Sequence, residues 1–263
     1  MKLFFIFIVL LFSFQLLAQN SIPYLSTYPL GKDFEVAEEK EGPIGSLLVP
    51  APGTGKKGNK SIGVGASLIK FDGGKLYQYS LSLSYTPADK LDLVFAIPHI
   101  NLKINNVGSE NITGDFFAGI KHTFLENDYK AGFSVGFVFP TGGNLGLGDN
   151  NKMDIIVDLP IERKFNTIQV NMNIGYMITD RNSIYELESY KFGFALSKTL
   201  TEKIGVSAEV SYQKPEEGSS STIYAFGLKN QINEKNSISC IIGKDSHSNG
   251  LDLLASLSYS RNF

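Results

Sequence analysis

Asp154, Asp158 and Glu162 recur at every fourth position of one segment. Side chains of an extended chain alternate between two faces, so the three acids share a face as a ladder, with successive carboxylates about 13 Å apart. A ladder of this kind performs no covalent chemistry. Its negative potential would draw cations into a narrow low-dielectric bore unless bases such as Lys121 and Lys191 neutralise it. The same alternation puts Asp92, Asp115, Asn171, Asn173, Glu209 and Asp252 on the polar faces of other segments, with Gln78, Ser80, Ser82, Gln169, Gln213 and Lys229 beside them. Acids outnumber bases in this set. Two roles are open to it: a polar interior whose groups pair with one another and with water, or a weakly cation-favouring passage.

Nucleophile and metal chemistry is poorly supported. His247-Ser248-Asn249-Gly250 resembles the His-x-Ser-Asn motif of outer-membrane phospholipase A and of lipid A deacylases, but the spacer is missing. Adjacent residues of a strand point to opposite sides, so His247 and Ser248 could not share a proton. His99 has no obvious nucleophile beside it, and His122 falls on an apolar face, so both read as structural. Asp149-Asn150-Asn151 with Asp154 offers oxygen ligands, yet the Gly and distal Glu of a calcium loop are out of place. Gly53-Thr54-Gly55-Lys56-Lys57-Gly58-Asn59-Lys60-Ser61 looks superficially like a phosphate-binding loop. Asn59 interrupts its Gly-Lys-Ser ending, and it precedes a strand instead of joining a strand to a helix. The lone Cys240 cannot form an internal disulfide and alternates with Ile238 and Ile242 on an apolar face. No catalytic residue, cofactor or metal is expected, and the chain reads as a non-enzyme.

The elements that would position the polar residues are strands. In Tyr77-Gln78-Tyr79-Ser80-Leu81-Ser82-Leu83-Ser84-Tyr85 every odd residue is apolar or aromatic and every even one polar. The rhythm returns in 131–139, 168–174, 204–212 and 251–263, and about twelve such segments run from residue 61 to the end. This predicts an all-β fold, a transmembrane antiparallel up-and-down β-barrel of about twelve strands. The connections alternate in length. Turns at 87–90, 126–129, 163–166, 200–202 and 233–236 are tight, whereas 105–112, 140–152, 179–186, 214–221 and 244–250 are longer and mostly rich in Gly, Asn and Ser; of the loops at that end only 72–74 is short. A soluble sandwich has no reason to sort its loops by length. Tight turns belong on the periplasmic side, which puts both termini there. Tyr77, Tyr79, Tyr85, Phe124, Phe165, Tyr176, Tyr212, Tyr224, Tyr259 and Phe263 fall near the expected strand ends, as interfacial aromatics should, and Trp is absent.

Residues 1–19 carry one positive charge, an apolar run and a small residue, Ala18, before a plausible cut: a secretory signal peptide. The run is too short for a membrane-spanning helix. Residues 20–60 mix Pro, Gly and charge, with an acidic cluster at Glu35, Glu38, Glu39 and Glu41, and read as a periplasmic arm or partial plug; residues 61–263 form the barrel. A formal net charge of −2 gives no sign of a nucleic-acid partner.

Two segments, Gly114-Asp115-Phe116-Phe117-Ala118-Gly119-Ile120-Lys121-His122-Thr123-Phe124 and Val138-Phe139-Pro140-Thr141-Gly142-Gly143 followed by Leu147-Gly148-Asp149, resemble the outer-membrane transporter family named for the meta-pathway of phenol degradation. The likeness covers roughly 91–263. It implies a barrel transporter in the outer membrane, and the family name implies aromatic solutes without identifying one for this chain. Tyr259 and Phe263 look like the aromatic-ended terminal strand that barrel assembly machinery recognises. The expected partners are therefore outer-membrane lipid, that machinery and an unidentified small solute. A structural or surface-interaction barrel without transport is the alternative, and a lipid hydrolase the more distant one.

Overall fold

The computed structural model describes residues 50–71, 73–105, 108–126, 129–141, 153–178, 189–215, 220–246 and 251–263. The expected signal peptide, residues 20–49 of the expected arm, and His247-Ser248 lie outside them. The strands are β1 Lys60–Phe71, β2 Gly74–Ala88, β3 Leu91–Ile104, β4 Gly108–Thr113, β5 Phe116–Glu126, β6 Tyr129–Phe139, β7 Asp154–Phe165, β8 Ile168–Ile178, β9 Ser189–Thr201, β10 Ile204–Pro215, β11 Ser221–Asn233, β12 Asn236–Asp245 and β13 Leu251–Asn262. Neighbours pair antiparallel in chain order, and β1 pairs with both β2 and β13, which closes the sheet. The last residue joins the seam, since the Phe263 amide donates to the Lys60 carbonyl at 2.9 Å.

β4 and β5 share one place in the wall. β3 pairs through 99–104 with β4 and through 91–96 with β5, so the barrel has twelve wall strands, one of them broken at Gly114-Asp115. This corrects the expectation of a loop at 105–112. That stretch lacks alternation because its hairpin lies at the loop end of the wall, where among the described residues β4 is hydrogen-bonded to β3 alone and neither face need be apolar. The tight turns are as short as expected. Lys90 and Asn166 take positive φ, 66° and 53°, at two of them, a conformation that Asn adopts more readily than most residues.

Burial is inverted relative to a water-soluble protein. Tyr79, Leu81, Leu83 and Tyr85 are exposed while Gln78, Ser82 and Thr86 between them are buried, and Phe226 is 74% exposed. An apolar outer band on a closed sheet matches hydrocarbon, in which every backbone N–H and C=O must be paired within the protein. Ile174, outward and central on β8, tests this facing. Ile174→Arg is expected to cost about 2–4 kcal/mol of barrel stability, read as loss of heat-resistant gel migration. The inward neighbour Asn173→Ser should perturb it less.

Candidate functional site

The inner wall is the candidate site. Strand register assembles a row of side chains that sequence spacing does not reveal. Asp92 on β3 faces Lys121 on β5, Lys121 faces Ser134 on β6, Ser134 faces Asp158 on β7, Asp158 faces Gly175 on β8, and Gly175 faces Lys191 on β9. The row continues to Gln213 on β10, whose amide donates to the Ser189 hydroxyl at 3.0 Å. Charge alternates along it: acid, base, acid, base. Gly175 is what allows the second pair to meet, because a Cβ there would land on the Asp158 Oδ1. Asp158 and Lys191 interact electrostatically across the glycine, and the Asn173 Nδ2 donates to the Asp158 Oδ1 at 2.7 Å.

The acidic ladder therefore crosses a row that carries its own bases. Asp154, Asp158 and Glu162 all lie buried on the inner face of β7. Glu162 stands opposite Lys130 on β6 and Asn171 on β8. Asn171 and Asn173 are buried, and Glu209 on β10 is buried with its carboxylate accepting from the Ser207 hydroxyl at 2.6 Å. Two expected members stand apart. Asp115 sits in the break between β4 and β5. Asp252 sits at a pairing irregularity on the rim, with its carboxylate 4.0 Å from the outward Lys70.

The inner face is not uniformly polar, which departs from the expectation of a polar interior. On the loop side of the charged row, Ala96, Phe117, Val138, Ile156 and Met177 form a buried apolar belt along β3, β5, β6, β7 and β8. Ile69, Ile223 and Leu254, with Phe71 and Leu76, do the same on the opposite wall. On the turn side the wall is lined by hydroxyls and amides, among them Ser61, Thr86, Gln169, Asn171, Ser197 and Ser207. There the Asn171 Nδ2, Asn173 Oδ1 and Ser197 Oγ have no protein partner, a donor, an acceptor and a hydroxyl able to do either, which water or a solute hydroxyl would satisfy.

The turn-side mouth is narrowed by the chain itself. Ala51, Pro52 and Gly53 are buried against the inner wall; Thr123 donates its hydroxyl to the Pro52 carbonyl, and Thr54 lies 3.2 Å from Thr123, hydroxyl to hydroxyl. The Gly55 amide donates to both oxygens of Asp92, at 3.3 and 3.2 Å, and the Thr86 hydroxyl donates to the same carboxylate at 2.6 Å. Lys57 donates its amide to Asp89 at 3.0 Å. The glycine-rich stretch thus directs two of its amides at the protein's own carboxylates, the reverse of a phosphate cradle. Asp92, expected only as a lining residue, is its anchor.

Of the histidines, His122 has its Nδ1 2.7 Å from the Lys90 carbonyl oxygen and packs on Phe133, and His99 is exposed on the outer side of β3. Cys240 is a free thiol. Among the described residues no group of three or more His, Cys, Asp or Glu could hold a metal ion.

This architecture, a closed twelve-stranded barrel with an apolar exterior, is shared with outer-membrane channels of known structure. The chain is similar to an outer-membrane channel from Pseudomonas putida F1, with 15% identity and a TM-score of 0.66 over 81% of this chain and 98% of that one. It is similar to the KdgM porin, with 10% identity and a TM-score of 0.55 over 76% and 99% of the two chains, and to the NanC porin, with 7% identity and a TM-score of 0.56 over 76% and 98%. No family model and no curated protein matches the chain. At these identities the likeness defines the fold.

Proposed function

We propose that this chain is a non-enzymatic outer-membrane channel for a small solute with both an apolar and a polar face, its tight turns and both termini periplasmic. The observation that carries this reading is the two-tier inner wall. A hydrophilic passage has no need of an apolar tier, yet here Phe117, Val138, Ile156 and Met177 pack as a buried apolar layer on the loop side of the charged row, which a solute crossing from that side has to part. The aromatic solutes implied by the family resemblance would suit such a wall. Proteoliposome swelling tests it: small solutes with an apolar face should enter faster than all-hydroxyl solutes of equal size. Swelling by neither would leave the runner-up, a structural barrel with a filled interior; lipid hydrolysis by the purified protein would revive the hydrolase.

The segment before β1 acts in this reading as a partial plug held by Asp92. Asp92→Asn should weaken the Gly55 contact, because a charge-assisted hydrogen bond becomes a neutral one of roughly half the strength. Larger and noisier current steps are expected from the variant, and wild-type steps would remove the anchor. The terminal strand is proposed as the signal for assembly. Deleting Phe263, which is 65% exposed under the Arg261 guanidinium, should leave export intact while lowering the amount of folded barrel in the membrane. Normal amounts would refute that role.

A further inference from the structure

The outer faces of β7, β8 and β9 are apolar almost throughout, and on them Arg163 and Lys198 are the charged residues; no acid shares the surface. Both lie at the turn end. Arg163 sits between two rings, its guanidinium 4.4 Å from the Tyr129 centroid and 4.5 Å from that of Phe165. Its Nη1 donates to the Tyr129 hydroxyl, which fixes the plane of the fork. Lys198 lies across β8 from Phe165, because Phe165 pairs with Ile168 and Ile168 with Lys198. Arg163 is a further two residues along β7, so two strand spacings across and one two-residue step along root the two basic side chains about 12 Å apart, near enough for both to reach one anion. Ile161, Ile174 and Leu196, all exposed, continue the surface toward mid-barrel.

We infer that Arg163 and Lys198 bind the phosphate of an anionic phospholipid, with its acyl chains lying on the apolar face above them. The inference rests on the reading of the outer face as lipid-facing. A guanidinium held between two rings is already oriented and keeps most of its five donors free for a planar or tetrahedral oxyanion. With no carboxylate on the outer faces of these three strands, the two cations have no acid beside them on the wall, and an anion from outside complements them. A free phosphate would leave the apolar shelf beside them bare, whereas a phospholipid covers both. In the proposed orientation the site opens to the periplasmic leaflet. A cation near a membrane surface is worth about fivefold in affinity for anionic lipid.

Native mass spectrometry of the full mature barrel with phosphatidylglycerol or phosphatidylcholine tests the site. Wild type should retain phosphatidylglycerol preferentially. Arg163→Gln and Lys198→Gln should each lower that preference about fivefold, while Lys244→Gln, an outward cation at the opposite end, should leave it unchanged. Heat-modifiable migration shows that each variant is folded. Undiminished preference in folded Arg163→Gln overturns the proposal, as does an equal loss in Lys244→Gln, which would mean diffuse charge attraction. Competition by inorganic phosphate as effective as that by the lipid would likewise overturn it in favour of a simple phosphate site. Conductance of Arg163→Gln should equal wild type, so failure of the lipid site and failure of the channel reading are separately visible.

Discussion

Lys191→Met is expected to destabilise the folded barrel by about 3–5 kcal/mol, since removing one partner of a buried pair leaves the other charge uncompensated. Asp158 is 3% exposed and loses its electrostatic partner in this variant, keeping only the Asn173 amide. The double variant Asp158→Asn with Lys191→Met should recover most of the loss, because no uncompensated charge remains. Gly175→Ala should imitate the single variant with every charge present. The new Cβ occupies the position of the Asp158 Oδ1, so the carboxylate must turn away from Lys191. Urea unfolding in detergent micelles, followed by heat-modifiable migration, measures all three. Equal stability of Lys191→Met and the double variant would show that the pair does not act as a unit.

The second large effect is on ion preference. Replacing Asp154, Asp158 and Glu162 with Asn, Asn and Gln leaves Lys130 and Lys191 on the inner wall without the acids that face or adjoin them, and leaves Lys121 with Asp92. Reversal potential in a salt gradient should then change sign toward anions, because field lines are focused in a narrow low-dielectric bore. An unchanged reversal potential in a conducting barrel would mean that ions pass away from β7. A smaller change is expected from Asp154→Asn alone, since it removes one of the three negative charges on β7.

The strands and their facing were legible where one side of the wall is polar. Gln78 to Tyr85 shows a clean period of two because the inner wall there is lined by Ser and Gln. The period fails where both faces are apolar. In Ile155-Ile156-Val157 three apolar residues run together, and within 131–139, where the rhythm otherwise holds, Val138 sits between Phe137 and Phe139, so nothing marks Ile156 and Val138 as inward and the apolar belt is not legible. β4 is illegible for the opposite reason: Gly108-Ser109-Glu110-Asn111 is polar on both faces, and nothing in 105–112 distinguishes a wet strand from a loop. The charged row was hidden more deeply. Asp92, Lys121, Asp158 and Lys191 are separate choices in four segments, and only register, set by turn lengths and closure, makes them neighbours. Gly175 carries no side-chain signal at all. Its importance lies in the space it leaves for Asp158. Asp92 reads from the sequence as a polar inward residue, but its partner Gly55 belongs to a segment without periodicity, so spacing carries no sign of the anchor.

Single-channel recording from the mature chain in planar bilayers tests the central claim most directly. A channel whose turn-side mouth is narrowed by residues 51–55 should give small, steady current steps, and Asp92→Asn should give larger ones. Silent insertion of a barrel shown to be folded by its heat-modifiable migration, for both wild type and Asp92→Asn, would contradict the account and leave a wall without a passage.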